Sequence, residues 1–432
     1  MKKNNMIDVV NNKKLAKIIL TFILLQPLFD ILNCLLGENL ISIGLLTKGI
    51  ILLIGILYMY FVVKDKKFIL YTILLILYYA LFMFNNYNKI TFISETVYFI
   101  KCFYFPLILM FFCKVFDEEK GDVLKIVAFI ISFSILLAIC SGTSLMSYDS
   151  GSKLGYCGWF YSPNELSAMM AILFPIVTYY FLYKSSVFNI ANFVIMFISM
   201  LLIGTKASYL AVAITLFCFF SLEILLFLFN KIKNKKYRKE RLELLLLCIL
   251  LITVTPFTAS YKNTVKHVNN VIINDNFDKK DNEFSYNFEN VVYYGREGYL
   301  KFVKKEYRES DMYTKIFGLG KNIKNVDDDL KYIQYNVERD FHDIYFCYGL
   351  IGTLLFFVYP IILIVNNFKK IFNRNFFNDR QKIAYCISIV LGLMIAFLCG
   401  HVLPYPAVST YLALIVSCFI NLLSTKYVEK KQ

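Results

Sequence analysis

Residues 123–140 read VLKIVAFIISFSILLAIC, an apolar run interrupted only by Lys125, Ser132 and Ser134. As a helix it is about 27 Å long, close to the thickness of a hydrocarbon core. Backbone polar groups cannot be left open in lipid, so a run of this kind crosses as a helix. The pattern recurs along the chain. Apolar blocks of roughly 17–24 residues are centred near Leu25, Ile51, Ile76, Phe103, Ile131, Leu173, Phe197, Phe217, Ile249, Leu355, Leu391 and Ala413. The expectation is an all-α polytopic membrane protein with about twelve transmembrane helices. Composition agrees: of 432 residues, 58% are hydrophobic and 18% charged, where a soluble domain carries about a quarter charged. The first block holds Gln26 and Asp30, lacks a small-residue cleavage site and leads directly into the second, so it reads as a helix and not as a leader.

Charge orients the bundle. With twelve spans both ends share a face, and that face collects about 27 Lys and Arg against about 3 in the short opposite loops, as the positive-inside rule requires of a cytoplasmic side. The densest basic clusters, residues 231–241 and 369–382, fall there. The net charge of +15 is therefore a topology signal. Nucleic-acid binding would need a folded basic face, and none is suggested. Both termini are expected on the cytoplasmic side of a multi-pass membrane protein. The eleven cysteines are scattered, without CxxC or a Cys/His pair at metal spacing, and read as small packing residues.

The domain reading is nine transmembrane helices over residues 1–259, one large extracytoplasmic loop over 260–343, and three helices over 344–432. A loop of that length in a compact bundle usually carries function. Its first part, residues 263–290, is rich in Asn and Asp and is expected to lack regular structure. Residues 296–308 (REGYLKFVKKEYR) place Tyr299, Phe302 and Val303 on one helical stripe among Arg296, Lys301, Lys304, Lys305 and Arg308. That is an amphipathic basic helix, suited to anionic headgroups or phosphates or simply to packing on the loop. The other long outer connection, residues 141–164, is rich in Gly, Ser and Tyr and holds the one tryptophan, Trp159.

Three polar residues stand out on the outer side. His342, one of three histidines, opens a span, where the positive end of the helix dipole favours a neutral imidazole. Asp340 and Asp343 pull the other way and could orient one ring nitrogen, which suits either a general base or an interfacial cap. Arg296 follows Gly295 and presents a fork matched to phosphate oxygens. Lys206 lies in a tight outer reversal, where anion binding and snorkelling to headgroups both account for it. His267 and His401 lack acidic neighbours in sequence and are set aside. Asp30, Lys48, Glu95, Lys101 and Glu223 fall inside spans, where charge is costly and needs a partner or a wet cavity. No nucleotide-binding P-loop, GxSxG, HExxH or EF-hand pattern is present.

Residues 158–168 (GWFYSPNELSA), 204–208 (GTKAS), Gly295-Arg296, 317–320 (FGLG), His342-Asp343 and 348–355 (YGLIGTLL) occur in the order seen in the O-antigen ligase/polymerase family, which the chain resembles over about half its length. The resemblance implies a GT-C-like bundle that takes a glycan from undecaprenyl diphosphate and joins it to a sugar hydroxyl with inversion. It implies no metal and no other cofactor. By that likeness His342 deprotonates the acceptor, Arg296 and Lys206 hold the diphosphate, and Asn164, Asp343, Gly318 and Gly320 support them. The family usually has arginine where Lys206 stands and asparagine where Asp343 stands.

The implied partners are an undecaprenyl-diphosphate-linked glycan donor, a glycan acceptor, the lipid bilayer, and a flippase and chain-length regulator of the same pathway. A polymerase of surface polysaccharide, capsular or O-antigen-like, is the leading expectation. An abundance of Lys, Asn and Ile hints at an AT-rich, Gram-positive-like source, which would lack a lipopolysaccharide acceptor. Ligase-type transfer of a finished glycan to a terminal acceptor uses the same chemistry. A flippase or transporter of lipid-linked sugars is the reading from a different class.

Overall fold

The computed structural model describes residues 2–37, 42–87, 91–116, 120–148, 153–228, 238–275, 296–321, 337–371 and 376–425. Five helices come first: α1 (Lys2–Leu36), α2 (Ile43–Tyr58), α3 (Lys66–Asn86), α4 (Phe92–Val115) and α5 (Gly121–Cys140). A short antiparallel hairpin, β1 (Leu145–Met146) with β2 (Tyr156–Gly158), leads to α6 (Pro163–Tyr183). Next are α7 (Val187–Leu202), α8 (Lys206–Leu228), α9 (Arg238–Val254) and α10 (Ala259–Asp275). The remainder holds α11 (Arg296–Glu309), α12 (Met312–Phe317), α13 (Asp340–Ile371), α14 (Arg380–Leu398) and α15 (Pro406–Thr425).

Each of the twelve apolar centres lies on a helix, but not all are simple spans. Among the described residues ten helices are long and apolar enough to cross a membrane. An eleventh is the pair Lys239–Phe257 and Ala259–Lys266, bent by 52°, where a 3-10 turn over Thr255–Phe257 contains Pro256. The twelfth, α7, has 16 residues, short of the roughly 20 that a perpendicular span needs. The chain is thus an all-helical polytopic membrane protein of ten to eleven candidate spans plus one short apolar helix.

Helix starts are set by side chains that meet otherwise unpaired N–H groups. Ser162 accepts from the Glu165 N–H at 3.3 Å and Ser186 from Asn189 at 3.2 Å. Asp65 accepts from Lys67 and Phe68 at 2.9 and 3.2 Å. The core is built round α6, of which 89% of the membrane window is buried, against 28% for α1. It packs on α5, α7, α8, α14 and α15. Apolar burial gives little drive between helices already in lipid, so specific contacts matter more. Tyr104 and Thr410 share a hydroxyl bond of 2.9 Å, Ser199 donates to the Ser132 carbonyl at 3.0 Å, and Asn192 to that of Lys125 at 2.8 Å.

Four of the five charged residues singled out within spans have found partners. Lys48 pairs with Asp30 at 2.9 Å. Buried Glu223 accepts from Arg380 at 3.0 Å and from the Tyr183 hydroxyl at 2.8 Å. Glu95 accepts from the Lys321 N–H at 2.9 Å and from the Tyr348 hydroxyl at 3.2 Å.

Two expectations for the long connection need correction. Residues 263–275, expected to be irregular, belong to α10; 276–290 lie outside the described residues. Polar side chains at the start of this helix bond to neighbouring backbone. Asn263 exchanges two bonds with the Leu154 backbone, at 2.6 and 2.8 Å, and donates to the Gly204 carbonyl at 3.0 Å, while Ser260 donates to that of Thr205 at 3.0 Å. The basic helix forms as α11, but its inward face is Leu300 and Val303, with Tyr299 and Phe302 left exposed.

The end of this connection is docked by glycines. At Gly349 (φ 60°, ψ −164°) the helical path of α13 is broken, and residues 317–320 run alongside the break. Leu319 and Gly320 donate to the Phe346 and Cys347 carbonyls, both at 2.9 Å. The Tyr78 hydroxyl reaches the carbonyls of Phe317 and Tyr348 at 2.8 and 2.6 Å. A Cβ on Gly318 (φ 103°) would lie 2.1 Å from the Cys347 oxygen, and one on Gly349 2.5 Å from that of Ile316. Two glycine motifs far apart in sequence therefore serve one close backbone crossing.

Candidate active site

The site begins with a carboxylate that the chain cannot leave unpaired. Asp340, 1% exposed, accepts the N–H groups of His401, Val402 and Leu403 at 2.8, 2.9 and 2.7 Å. This fastens the connection between α14 and α15 to the first turn of α13. His401 is held there at φ 67°, and Glu338 opposite it at φ 56°, a left-handed conformation uncommon for residues other than glycine. Such backbone persists where the surroundings over-determine it, often at functional sites.

Glu338 joins two groups. Its Oε2 accepts from Arg296 Nη2 at 2.9 Å and Nε at 3.0 Å, and it lies 4.0 Å from His401 Nε2. Asn164 Nδ2 approaches the same imidazole nitrogen at 3.3 Å, and the Tyr405 ring lies 4.8 Å from the imidazole. Burial pushes the His401 ring down to about 4; Glu338 opposes this, and Arg296 and Lys321 reinforce it. His401 is therefore a neutral imidazole at ordinary pH.

Lys206 opens α8 and lies within electrostatic range of Arg296, Lys153 and Cys399. The half-buried Cys399 thiol is pushed up by desolvation while Arg296, Lys206 and Arg339 draw it down, so all three cations lie within electrostatic range of it. Burial also lowers the Lys153 ammonium. Elements distant in sequence thus bring Arg296, paired with Glu338, and Lys206 into one electrostatic neighbourhood with a neutral imidazole. Such a neighbourhood suits an anion with several oxygens, and diphosphate is of that type.

Of the residues singled out from sequence, Arg296, Lys206 and Asn164 fall in this cluster. His342 is attached to it through Arg339 and Phe397. Its ring lies 6.2 Å from Phe397 and 6.3 Å from Phe346, with Arg339 and Lys304 as its electrostatic neighbours. Arg339 covers the Phe397 ring at 5.4 Å and donates to its carbonyl at 3.2 Å. His342 Nδ1 is buried without a hydrogen-bond partner among the described residues. The acidic neighbours expected to orient this ring are used elsewhere: Asp340 as above, and Asp343 by the N–H groups of Val337 and Arg339 at 2.7 and 3.2 Å. Gly318 and Gly320 act in the backbone crossing. His401 and Glu338 were not found from sequence, because the acidic groups beside His401 come from residues some sixty positions upstream.

The chain is thus a multi-pass helical bundle with a polar site containing basic side chains at one end. The chain belongs to the family of O-antigen ligase-like membrane proteins, whose model matches residues 12–426. Members are generally membrane glycosyltransferases with lipid-linked glycan donors. A search of curated proteins finds no match.

Proposed function

We propose that this protein is a polymerase of bacterial surface polysaccharide, extending a glycan carried on undecaprenyl diphosphate at the outer face of the cytoplasmic membrane. The observation that carries the reading is the placement of Arg296 beside the neutral imidazole of His401 through Glu338, with Lys206 within electrostatic range of Arg296. In the transfer, the acceptor hydroxyl loses its proton to His342 as its oxygen attacks the anomeric carbon. The bond from that carbon to the diphosphate oxygen breaks on the opposite side, so the centre inverts. Arg296 and Lys206 take up the charge that develops on the leaving diphosphate, the kind of preorganised electrostatic stabilisation that lowers such barriers most. The excess of Lys and Arg on the face opposite this site supports its external position.

A second feature supports a polyprenyl carrier. An almost entirely apolar cavity of about 380 Å³ has Phe341 and Leu403 among its lining residues, next in sequence to His342 and Val402, and also Asn367 and Ile371 near the other end of α13. An isoprenoid tail could lie there with its diphosphate at the cations. The test is reconstitution in proteoliposomes with lipid-linked repeat units as the only substrate. Formation of longer lipid-linked glycan without nucleotide is the expected result. A single transfer to a terminal acceptor would replace polymerase by ligase, and translocation without a new glycosidic bond would refute both.

A further inference from the structure

A second polar cavity, of about 340 Å³, opens between the ends of α1, α2, α4, α6 and α15. Its volume falls in the range of small-molecule sites, roughly 300–1,000 Å³. Unlike the apolar cavity, it is lined by ionisable groups: Asp30, Lys48, Lys101, Glu165 and Lys321. Aromatic side chains, among them Tyr98, Tyr161 and Tyr405, complete the walls. Tyr405 is also the ring against His401, so this cavity and the cation cluster share a wall.

The combination of aromatic faces with both carboxylates and ammonium groups is the chemistry of a polyol. Carboxylates accept from sugar hydroxyls, lysines donate to them, and ring faces cover the C–H surfaces. A phosphate dianion would meet Asp30 and Glu165 as repulsive neighbours. Three lysines against two carboxylates leave one positive charge in excess. Lys48 is bound to Asp30 at 2.9 Å, and the Lys321 ammonium sits 3.9 Å above the Tyr98 ring. Lys101 makes no ion pair among the described residues, while feeling the charges of Glu165, Lys321 and Lys48.

The geometry points to this cavity as the acceptor-sugar site, selective for a sugar unit that bears a carboxylate, with Lys101 receiving that carboxylate and Glu165 a hydroxyl. This deepens the polymerase reading and rests on it, since an acceptor is needed beside the diphosphate site.

The experiment measures saccharide binding to full-length protein in lipid nanodiscs by calorimetry. The probes are a glucuronosyl-glucose disaccharide and the matching glucosyl-glucose disaccharide, which differ by one carboxylate. Wild-type protein is expected to prefer the acidic probe by about tenfold, equivalent to about 1.4 kcal/mol. Lys101→Met brings the two probes to parity, and Glu165→Gln weakens both. Equal affinities in the wild type, no binding of either, or an undiminished preference in Lys101→Met would each overturn the assignment. Because the wild-type comparison stands alone, misfolding of a variant does not blunt the test. A parallel transfer assay separates the two ideas: selective sugar binding without any transfer sinks the polymerase, and transfer without selective sugar binding sinks the acceptor site.

Discussion

The carboxylate of Asp340 receives the backbone N–H of His401 at 2.8 Å, and through this bond the start of one helix sets the ring position of a histidine 61 residues later. The same carboxylate takes two further N–H groups, so the connection between α14 and α15 has one buried anchor.

Asp340→Asn puts an amide nitrogen against donors that now meet an oxygen. A buried donor left unpaired costs about 1–3 kcal/mol, so the variant should melt measurably lower in detergent and lose transfer activity. An unchanged melting temperature would show that the connection is held by something else.

Arg296→Ala is expected to slow transfer by roughly 10²–10³-fold, the usual cost of removing one donor from a site of developing charge. Arg296→Lys should recover only part of this, because one ammonium cannot replace a two-pronged contact. Lys206→Ala should weaken donor binding, and Lys206→Arg should match or exceed wild-type activity. Steady-state kinetics on a lipid-linked donor decide; wild-type rates in both alanine variants would remove the diphosphate clamp.

His342→Ala should abolish turnover while membrane insertion and melting stay near wild type. His401→Ala should instead reduce activity by disturbing Glu338 and hence Arg296. If His401→Ala proves inactive and His342→Ala active, the proton acceptor is His401.

The pH dependence of stability follows from His401. Its ring titrates near 4 in the fold against about 6.5 when unfolded, so the fold favours the neutral form. That contribution is complete above pH 6.5 and is lost as pH falls through 4. Arg296 and Lys321 act with burial here, and Glu338 against it. Melting temperature should drop across this window, and less steeply in His401→Gln. Parallel curves for the two proteins would show that another group controls the acid limb.

Gly318→Ala and Gly349→Ala each force a methyl into backbone at a positive φ, with carbonyl oxygens 2.1 and 2.5 Å away. The left-handed conformation alone costs about 1–2 kcal/mol, and the collision adds to it. Both variants should free the segment around α12, detected as faster proteolysis between Glu309 and Lys321. Protection equal to wild type would contradict the docking role.

Much of this architecture could be read from local pattern. Apolar runs long enough to cross a bilayer placed twelve helix centres correctly, because the solvent acts on each run separately. Arg296, Lys206 and Asn164 were singled out through motif order and through a lysine against the charge bias, and the fold brings Asn164 to His401 and Arg296 to Glu338 beside it. The helix over residues 263–275 was missed because its Asn and Asp look like loop residues until Asn263 is seen bonded to Leu154 and Gly204. His401 was passed over for lack of acidic neighbours, which it has only in space.

The amino-acid order by itself determined that this chain is a helical membrane protein with charged groups gathered at one end, since hydropathy and helix length are properties of single segments. Only tertiary structure decided which of those groups meet. Pairing Glu338 with Arg296 and His401 with Asp340 depends on where helices cross, and crossings are set by packing among residues far apart in the chain.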